Sequence, residues 1–201
     1  MKDSGNYKPL TYFQLMEVTL RELLVEKGLL TEEQIRREVE DMRARTPERG
    51  AKVVARAWLD EGYKKRLLEN GTKACEELGL DVPALKLVVV ENTAQVHNVI
   101  VCTLCSCYPR MLLGIPPDWY KSRAYRSRMV REPREVLKEF DLHLKEEVQV
   151  RVHDSTADMR YLVLPMRPAG TEGWDEERLA ALVTRDSMIG VSLAKSPGKN
   201  A

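Results

Sequence analysis

The chain has 201 residues, of which 43% are apolar and 31% are charged, and this composition is typical of a folded globular protein. Its 32 Lys and Arg nearly balance its 31 Asp and Glu, so the net charge does not indicate nucleic acid or a membrane surface as a partner. No apolar run approaches 18 residues, so no membrane-spanning helix is predicted. Residues 1–10 lack the apolar core of a signal peptide. Four cysteines without export signals favour a reducing, cytoplasmic compartment.

The N-terminal part of the chain predicts two helices that bury little. Residues 11–27 carry leucines at helical spacing. Residues 31–34 match a capping box, which predicts a second, mostly charged helix over residues 32–45 with a thin apolar stripe. Such a helix is either a solvated surface helix or an arm on a partner subunit. We therefore predict a helical arm over residues 1–48 that contacts a partner, and a catalytic domain over residues 49–201.

The remaining elements alternate between helix and strand. Helices are predicted to about residue 80, the last of them capped by Thr72. Two strands follow, and the second leads into a cysteine cluster. The order of elements predicts an α+β fold. The predicted helices are residues 51–60, 63–70, 72–78, 119–128, 133–140 and 176–184, and the predicted strands are residues 85–90, 96–101, 148–152 and 161–164.

Three of the four cysteines, Cys102, Cys105 and Cys107, lie within six residues directly after a predicted strand. Clustered thiols at the end of a strand are typical of a metal site. A disulfide is disfavoured because Cys105 and Cys107 are too close for relaxed geometry and the number of thiols is odd. A structural zinc site is one alternative, and it would need Cys75 or His97 as a fourth ligand.

A claw that includes backbone nitrogens is the other alternative. The sulfurs of Cys105 and Cys107 and the amide nitrogens of Ser106 and Cys107 can form a planar set that closes one six-membered and two five-membered chelate rings. The sulfur of Cys102 then occupies one axial position and the sixth position stays open, as a catalytic metal requires. Deprotonated amides are strong donors, so this arrangement favours a small trivalent ion. The spacing by itself leaves both alternatives open.

The segments around the cluster resemble the α subunit of nitrile hydratase. The resemblance runs through residues 101–109, 113–120, 125–134 and 164–174, with shorter matches at residues 50–54, 91–93 and 187–191. It implies a layered α/β/β/α fold with a helical N-terminal arm. It also implies a hetero-oligomer with a β subunit, or with two smaller polypeptides in its place.

The resemblance assigns roles within the claw. Cys102, Cys105 and Cys107 would be thiolate ligands, and Ser106 and Cys107 would supply the amide nitrogens. Cys105 would be oxidised to sulfinic acid and Cys107 to sulfenic acid, and arginines of the partner would neutralise their oxygens.

The resemblance also indicates the metal and the reaction. Thr103 and Tyr108 match the cobalt-type pattern, so cobalt(III) is expected rather than iron(III). The implied reaction is hydration of a nitrile to an amide, with the metal polarising the nitrile or activating water. Alternatively, the sulfenate oxygen of Cys107 is the nucleophile, which makes Cys107 the expected catalytic residue.

The chain departs from the family pattern at Arg110 and Met111, where tryptophan and proline are usual. We predict that Arg110 lines the pocket and binds a polar or anionic substrate group, and the alternative is that it turns outward to a partner carboxylate. An arginine here resembles thiocyanate hydrolase, the sister family, which is the alternative function: thiocyanate to carbonyl sulfide and ammonia. A polar pocket also fits nitrile hydratases of nucleoside-type nitriles. A glutamine common in the family falls on Pro83 here.

Other candidate residues have structural interpretations. Cys75 is predicted to fill the core, and His97 to be a hydrogen-bonded structural histidine. His143 and His153 are predicted at the surface. The arginine-rich stretch over residues 123–134 predicts a subunit interface and not a nucleic-acid site.

Overall fold

The computed structural model describes residues 9–82 and 86–198, so Pro83 lies outside the described residues. By internal contacts the chain divides into two compact units, one up to Met42 and the other from Arg43 onward. No helix within the described ranges is both long and apolar enough to cross a membrane.

Two capped helices come first in the described chain, α1 (Tyr12–Glu26) and α2 (Glu32–Ala44). The side chain of Thr11 caps α1, and at α2 the backbone N–H of Gln34 donates to Thr31 Oγ1 at 3.1 Å. Both helices confirm the sequence prediction, because caps and apolar spacing are local signals. Neither helix has a buried residue.

The second unit begins with α3 (Glu48–Leu59), α4 (Glu61–Glu69) and α5 (Gly71–Glu77). The prediction that Thr72 caps α5 is wrong. Asn70 is the cap, and its side chain accepts a hydrogen bond from the backbone N–H of Lys73 at 3.1 Å. The hydroxyl of Thr72 instead accepts from the backbone N–H of Leu87 at 2.9 Å, which ties α5 to the first strand.

Four strands form two small parallel sheets. In one sheet β1 (Lys86–Glu91) pairs with β4 (Met159–Leu164), and in the other β2 (Val96–Val101) pairs with β3 (Gln149–Asp154). Parallel pairing requires long connections. Helices connect β2 to β3, whereas the chain from β1 to β4 also includes β2 and β3. The mixture of helices and parallel sheets confirms the predicted α+β class.

The chain between β2 and β3 forms four short helices. The prediction of one helix over residues 119–128 is wrong, because Ser122 is extended (ψ 143°) and its side chain caps a new helix. A short helix after the cysteine cluster was also not predicted. The four helices are α6 (Arg110–Leu113), α7 (Asp118–Lys121), α8 (Arg123–Met129) and α9 (Pro133–Glu139).

The C-terminal part has α10 (Glu176–Ala180) and α11 (Arg185–Ile189) in place of the single helix predicted over residues 176–184. Gly190 ends α11 with φ +94°, and a Cβ there would lie 2.0 Å from the carbonyl oxygen of Asn98 in β2. Only glycine permits this approach, which holds the end of α11 against the strand that leads to the cysteines.

Candidate metal centre

Strand pairing holds the loop that carries the cysteines, residues 102–107, which we call the claw loop. Val101 at the end of β2 lies opposite Asp154 at the end of β3. The backbone N–H of Thr103 donates to Asp154 Oδ1 at 2.9 Å, and the Thr103 hydroxyl donates to Oδ2 at 2.6 Å. One carboxylate therefore holds the start of the loop through two hydrogen bonds.

Buried tyrosines hold the loop from the other side. The Tyr120 hydroxyl donates to the carbonyl oxygen of Cys107 at 2.9 Å, and the Tyr125 hydroxyl donates to that of Ile100 at 2.8 Å. The rings of Tyr108 and Tyr120 meet edge to face with centroids 5.1 Å apart. The end of the claw loop and the strand that leads into it are thus attached to packed aromatic side chains, which preserves the shape of the loop.

The claw loop brings three thiols together. The Sγ atoms of Cys102, Cys105 and Cys107 all lie within 4.8 Å of one another. The Sγ atom of Cys105 is 3.4 Å from that of Cys102 and 3.0 Å from that of Cys107, and all three cysteines are free thiols. Cys102 is buried, Cys107 is partly buried and Cys105 is exposed. The three sulfurs therefore converge on one point at the surface.

The spacing of the sulfurs can be compared with the two metal arrangements. With metal–sulfur bonds of about 2.3 Å, sulfurs at a right angle lie about 3.3 Å apart and tetrahedral sulfurs about 3.8 Å apart. The observed 3.4 Å and 3.0 Å agree better with right angles. Neither proposed fourth zinc ligand belongs to the thiol cluster. Cys75 is buried in the core, and both ring nitrogens of His97 have partners elsewhere. The cluster of Cys102, Cys105 and Cys107 fits a metal-binding claw.

The thiols differ in acidity. Hydrogen bonds with Cys107 and Cys102 lower the pKa of Cys105 to about 7. Burial raises the pKa of Cys107 to about 12, and the positive charge of Arg160 opposes that rise. Cys105 is therefore the thiol of this pair that ionises first, and ionised thiols are the form that binds metal.

A hollow of about 330 Å³ opens beside the sulfurs. Arg110, Met111 and Arg160 line it together with residues 105–108. Arg110 is exposed, and Met111 Sδ accepts a hydrogen bond from Arg45 Nη1 at 3.2 Å. Arg160 was not predicted from the sequence, because it lies in β4 and only the packing of the strands brings it here. Its Nε is buried and has no hydrogen-bond partner among the described residues.

The structure confirms the predictions for two of the three histidines and corrects the prediction for the third. His97 is the hydrogen-bonded histidine that the sequence predicts: it is buried, and its Nε2 donates to the carbonyl oxygen of Gly190 at 2.7 Å. His143 is exposed, also as predicted. His153 is less exposed than predicted. It is half-buried, its Nε2 donates to Asn98 Oδ1 at 2.8 Å, and its ring lies 5.0 Å from that of Tyr161.

Comparison with known proteins identifies relatives over nearly the whole chain. The family described as nitrile hydratase, alpha chain, matches residues 11–192. The nitrile hydratase subunit alpha of a Rhodococcus species is 53% identical over 181 residues, covering 89% of this chain and 91% of the relative. The cobalt-containing nitrile hydratase subunit alpha of Pseudonocardia thermophila is 53% identical over 180 residues, covering 88% of each. The thiocyanate hydrolase subunit gamma of Thiobacillus thioparus is 45% identical over 198 residues, covering 92% of this chain and 81% of the relative.

Two solved structures share the fold, each with a TM-score of 0.88. One is a recombinant thiocyanate hydrolase with partially modified cobalt centres, 44% identical and covering 94% of this chain and 93% of that one. The other is a double mutant of the Fe-type nitrile hydratase from Comamonas testosteroni Ni1, 45% identical and covering 94% of each chain.

The fold, the thiol cluster and the relatives together define the class of this protein: it is a subunit of a metal-containing hydratase. The chain belongs to the nitrile hydratase α-chain family. The resemblance seen in the sequence, the fold class and the enzyme class are confirmed.

Proposed function

We propose that this chain is the metal-bearing α subunit of a nitrile hydratase that converts a nitrile to its amide at a cobalt(III) centre. The observation that carries the proposal is the convergence of three thiols within 4.8 Å, at spacings that suit right-angle coordination. Cobalt is supported by relatives such as the cobalt-containing subunit of Pseudonocardia thermophila. Iron is the alternative, since an Fe-type enzyme has the same fold.

The ligands in this proposal are the sulfurs of Cys102, Cys105 and Cys107 and the amide nitrogens of Ser106 and Cys107. When bound, the metal supplies Lewis acidity toward the nitrile or toward water. Hydrogen bonds from Thr103 to Asp154 and from Tyr120 to Cys107 hold the claw loop at both ends, which supports a site that needs little reorganisation when a metal enters.

Cys107 is the proposed catalytic residue. Its sulfur is partly buried and lines the 330 Å³ hollow in which a small nitrile would sit. Oxidation of Cys107 to sulfenic acid and of Cys105 to sulfinic acid would add negative oxygens at the mouth of the site. The unpaired Nε of Arg160 is a donor within this chain for such an oxygen, because Arg160 lines the same hollow.

Arg110 is the proposed substrate-binding residue. It lines the hollow, is exposed, and forms no ion pair with any carboxylate among the described residues. A guanidinium at this place suits a nitrile that carries a polar or anionic group. The same feature supports the alternative function, hydrolysis of the thiocyanate anion, for which the relative from Thiobacillus thioparus is named.

The proposed partner is a β subunit, or two polypeptides in its place, in a cytoplasmic hetero-oligomer. The N-terminal arm, residues 1–48, would contact that partner. Helix α1 supports this assignment because it leaves large apolar side chains at the surface, which water disfavours. Among them Tyr12 is 70% exposed and Phe13 is 78% exposed.

The test uses the chain co-produced with its partner in medium containing cobalt. Cys102→Ala, Cys105→Ala and Cys107→Ala should each lose bound cobalt and nitrile hydration, measured by elemental analysis and amide formation. Cys75→Ala is the matched control, because its thiol lies in the core and should affect only stability.

The outcomes separate the alternatives. Full metal content and activity in any claw variant would overturn the ligand assignment. If the enzyme turns over thiocyanate but none of a panel of nitriles, thiocyanate hydrolysis would be favoured. Zinc in four-sulfur coordination would contradict both enzymes. Mass shifts of about 32 and about 16 Da on Cys105 and Cys107 are expected for sulfinic and sulfenic acid.

A further inference from the structure

The arginine-rich stretch predicted as a subunit interface separates into two groups by its contacts. Arg128 forms ion pairs with Glu132 and Glu139. Arg134 donates to backbone carbonyl oxygens over residues 144–148. These two arginines hold α8 and α9 to their own surroundings, so they are not available to a partner.

The other three arginines have no acidic partner. Arg123, Arg126 and Arg131 form no ion pair with any carboxylate in the part of the chain that is described. Arg131 Nε donates only to the carbonyl oxygen of Ser127, at 3.1 Å. Arg126 Nη1 donates to the carbonyl oxygen of Thr103 at 3.3 Å, while its Nε is buried and lacks a described acceptor. A buried donor without an acceptor costs about 1–3 kcal/mol, which an incoming acceptor would relieve.

All three arginines line one hollow of about 690 Å³, which we call the arginine hollow. It also contains Leu104, which is 87% exposed, and Val130, which is 47% exposed. No acidic side chain lines it. Three cations in one place are a marked local excess, since the whole chain has a net charge of only +1. The arginine hollow therefore combines concentrated positive charge with exposed apolar surface.

We propose that the arginine hollow receives a segment of the partner subunit that carries at least two carboxylates beside an apolar side chain. Guanidinium groups match carboxylates through paired hydrogen bonds, and the apolar side chain would cover Leu104 and Val130. The inference rests on the proposed function, because the partner is the β subunit of the same enzyme.

Docking there would also act on the claw loop. Arg126 joins the two sites, since it lines the arginine hollow and donates to the carbonyl oxygen of Thr103. A carboxylate on the partly exposed guanidinium of Arg126 would fix that side chain and with it the hydrogen bond to the claw loop. The arginine hollow thus couples partner binding to the shape of the metal site.

The experiment measures the dissociation constant of the complex with the co-produced partner at 50 and 300 mM NaCl. The double variant Arg123→Glu/Arg131→Glu should bind at least a hundredfold more weakly at 50 mM NaCl and lose most of the salt dependence. The neutral variant Arg123→Gln/Arg131→Gln should weaken binding about tenfold. Lys52→Glu is the control: Lys52 is exposed on α3 and outside the arginine hollow, so binding should not change.

Unchanged affinity in the charge-reversed variant, with a wild-type melting temperature, would overturn the proposal. So would competition by 5 mM inorganic phosphate that abolishes the difference between wild type and variant, because the arginine hollow would then hold a small anion. A wild-type chain that forms no complex with any partner would instead contradict the proposed function, and this inference would fall with it.

Discussion

Asp154→Ala should loosen the claw loop without disturbing the core. Asp154 accepts two hydrogen bonds from Thr103, one from the backbone N–H at 2.9 Å and one from the hydroxyl at 2.6 Å. Alanine removes both acceptors, while the strand pairing between β2 and β3 does not involve the side chain. The loss of stability is therefore confined to the claw loop, which carries the three thiols.

The magnitude follows from those two bonds. Hydrogen bonds to charged groups contribute about 1.5–3 kcal/mol each, but both residues are exposed, so we take about 1 kcal/mol each. The total of about 2 kcal/mol corresponds to roughly a thirtyfold increase in the open state of the loop. Thr103→Val removes only the hydroxyl bond and should have about half the effect in free energy. The double variant should not exceed Asp154→Ala, since both changes break the same contact.

The assay is hydrogen exchange of the backbone N–H of Thr103, measured by mass spectrometry on the metal-free and cobalt-loaded protein. Its rate should rise about thirtyfold in Asp154→Ala, and cobalt should be lost faster to a chelator. Asp158→Ala is the control, because that carboxylate is exposed and has no described contact with the claw loop. Wild-type exchange at Thr103 in Asp154→Ala would refute the reasoning.

Three further predictions concern the pocket, the fold and pH. Arg110→Trp should raise KM for polar nitriles about tenfold and lower it for apolar ones. Arg110→Lys should change KM little. A substrate profile of Arg110→Trp that is identical to that of the wild type would put Arg110 outside the pocket. Gly190→Ala should cost about 3–5 kcal/mol in chemical denaturation, because its Cβ would meet a β2 carbonyl oxygen at 2.0 Å. Gly173→Ala, with φ +77° but open space, should cost only about 1–2 kcal/mol. Burial lowers the pKa of His97 and of His153 in the folded protein. Below pH 6.5 the unfolded chain therefore binds more protons than the folded one. The free energy of unfolding should fall as the pH drops through that value. A melting temperature that stays constant between pH 7.5 and 5.5 would contradict this.

The amino-acid sequence by itself determined the elements that depend on neighbouring residues. The helical spacing of α1, the capping box of α2 and the bounds of β2 all agree with the structure, because each is a signal within a few residues. The three thiols at residues 102, 105 and 107 also converge as expected, since a spacing this short keeps their sulfurs close in any compact loop. The resemblance to nitrile hydratase rested on the same kind of local segments.

Two predictions made from the local sequence differ from the structure. The helix predicted over residues 119–128 is broken at Ser122, whose side chain caps a second helix in place of continuing the first. His153 was predicted at the surface because its neighbours in sequence are charged. In the structure it packs on Tyr161 and donates to Asn98. At Ser122 a competing local cap ends one helix and starts another. At His153 contacts with neighbouring strands decide the burial.

The tertiary structure alone decided what surrounds the thiols. The parallel pairing of β2 with β3 brings Asp154 to Thr103, and β4 contributes Arg160 to the hollow beside Cys107. The contacts of α8 and α9 separate the arginines that bind within the chain from the three that line the arginine hollow. Such placements depend on the register between segments far apart in the chain, and no periodicity within one segment encodes that register.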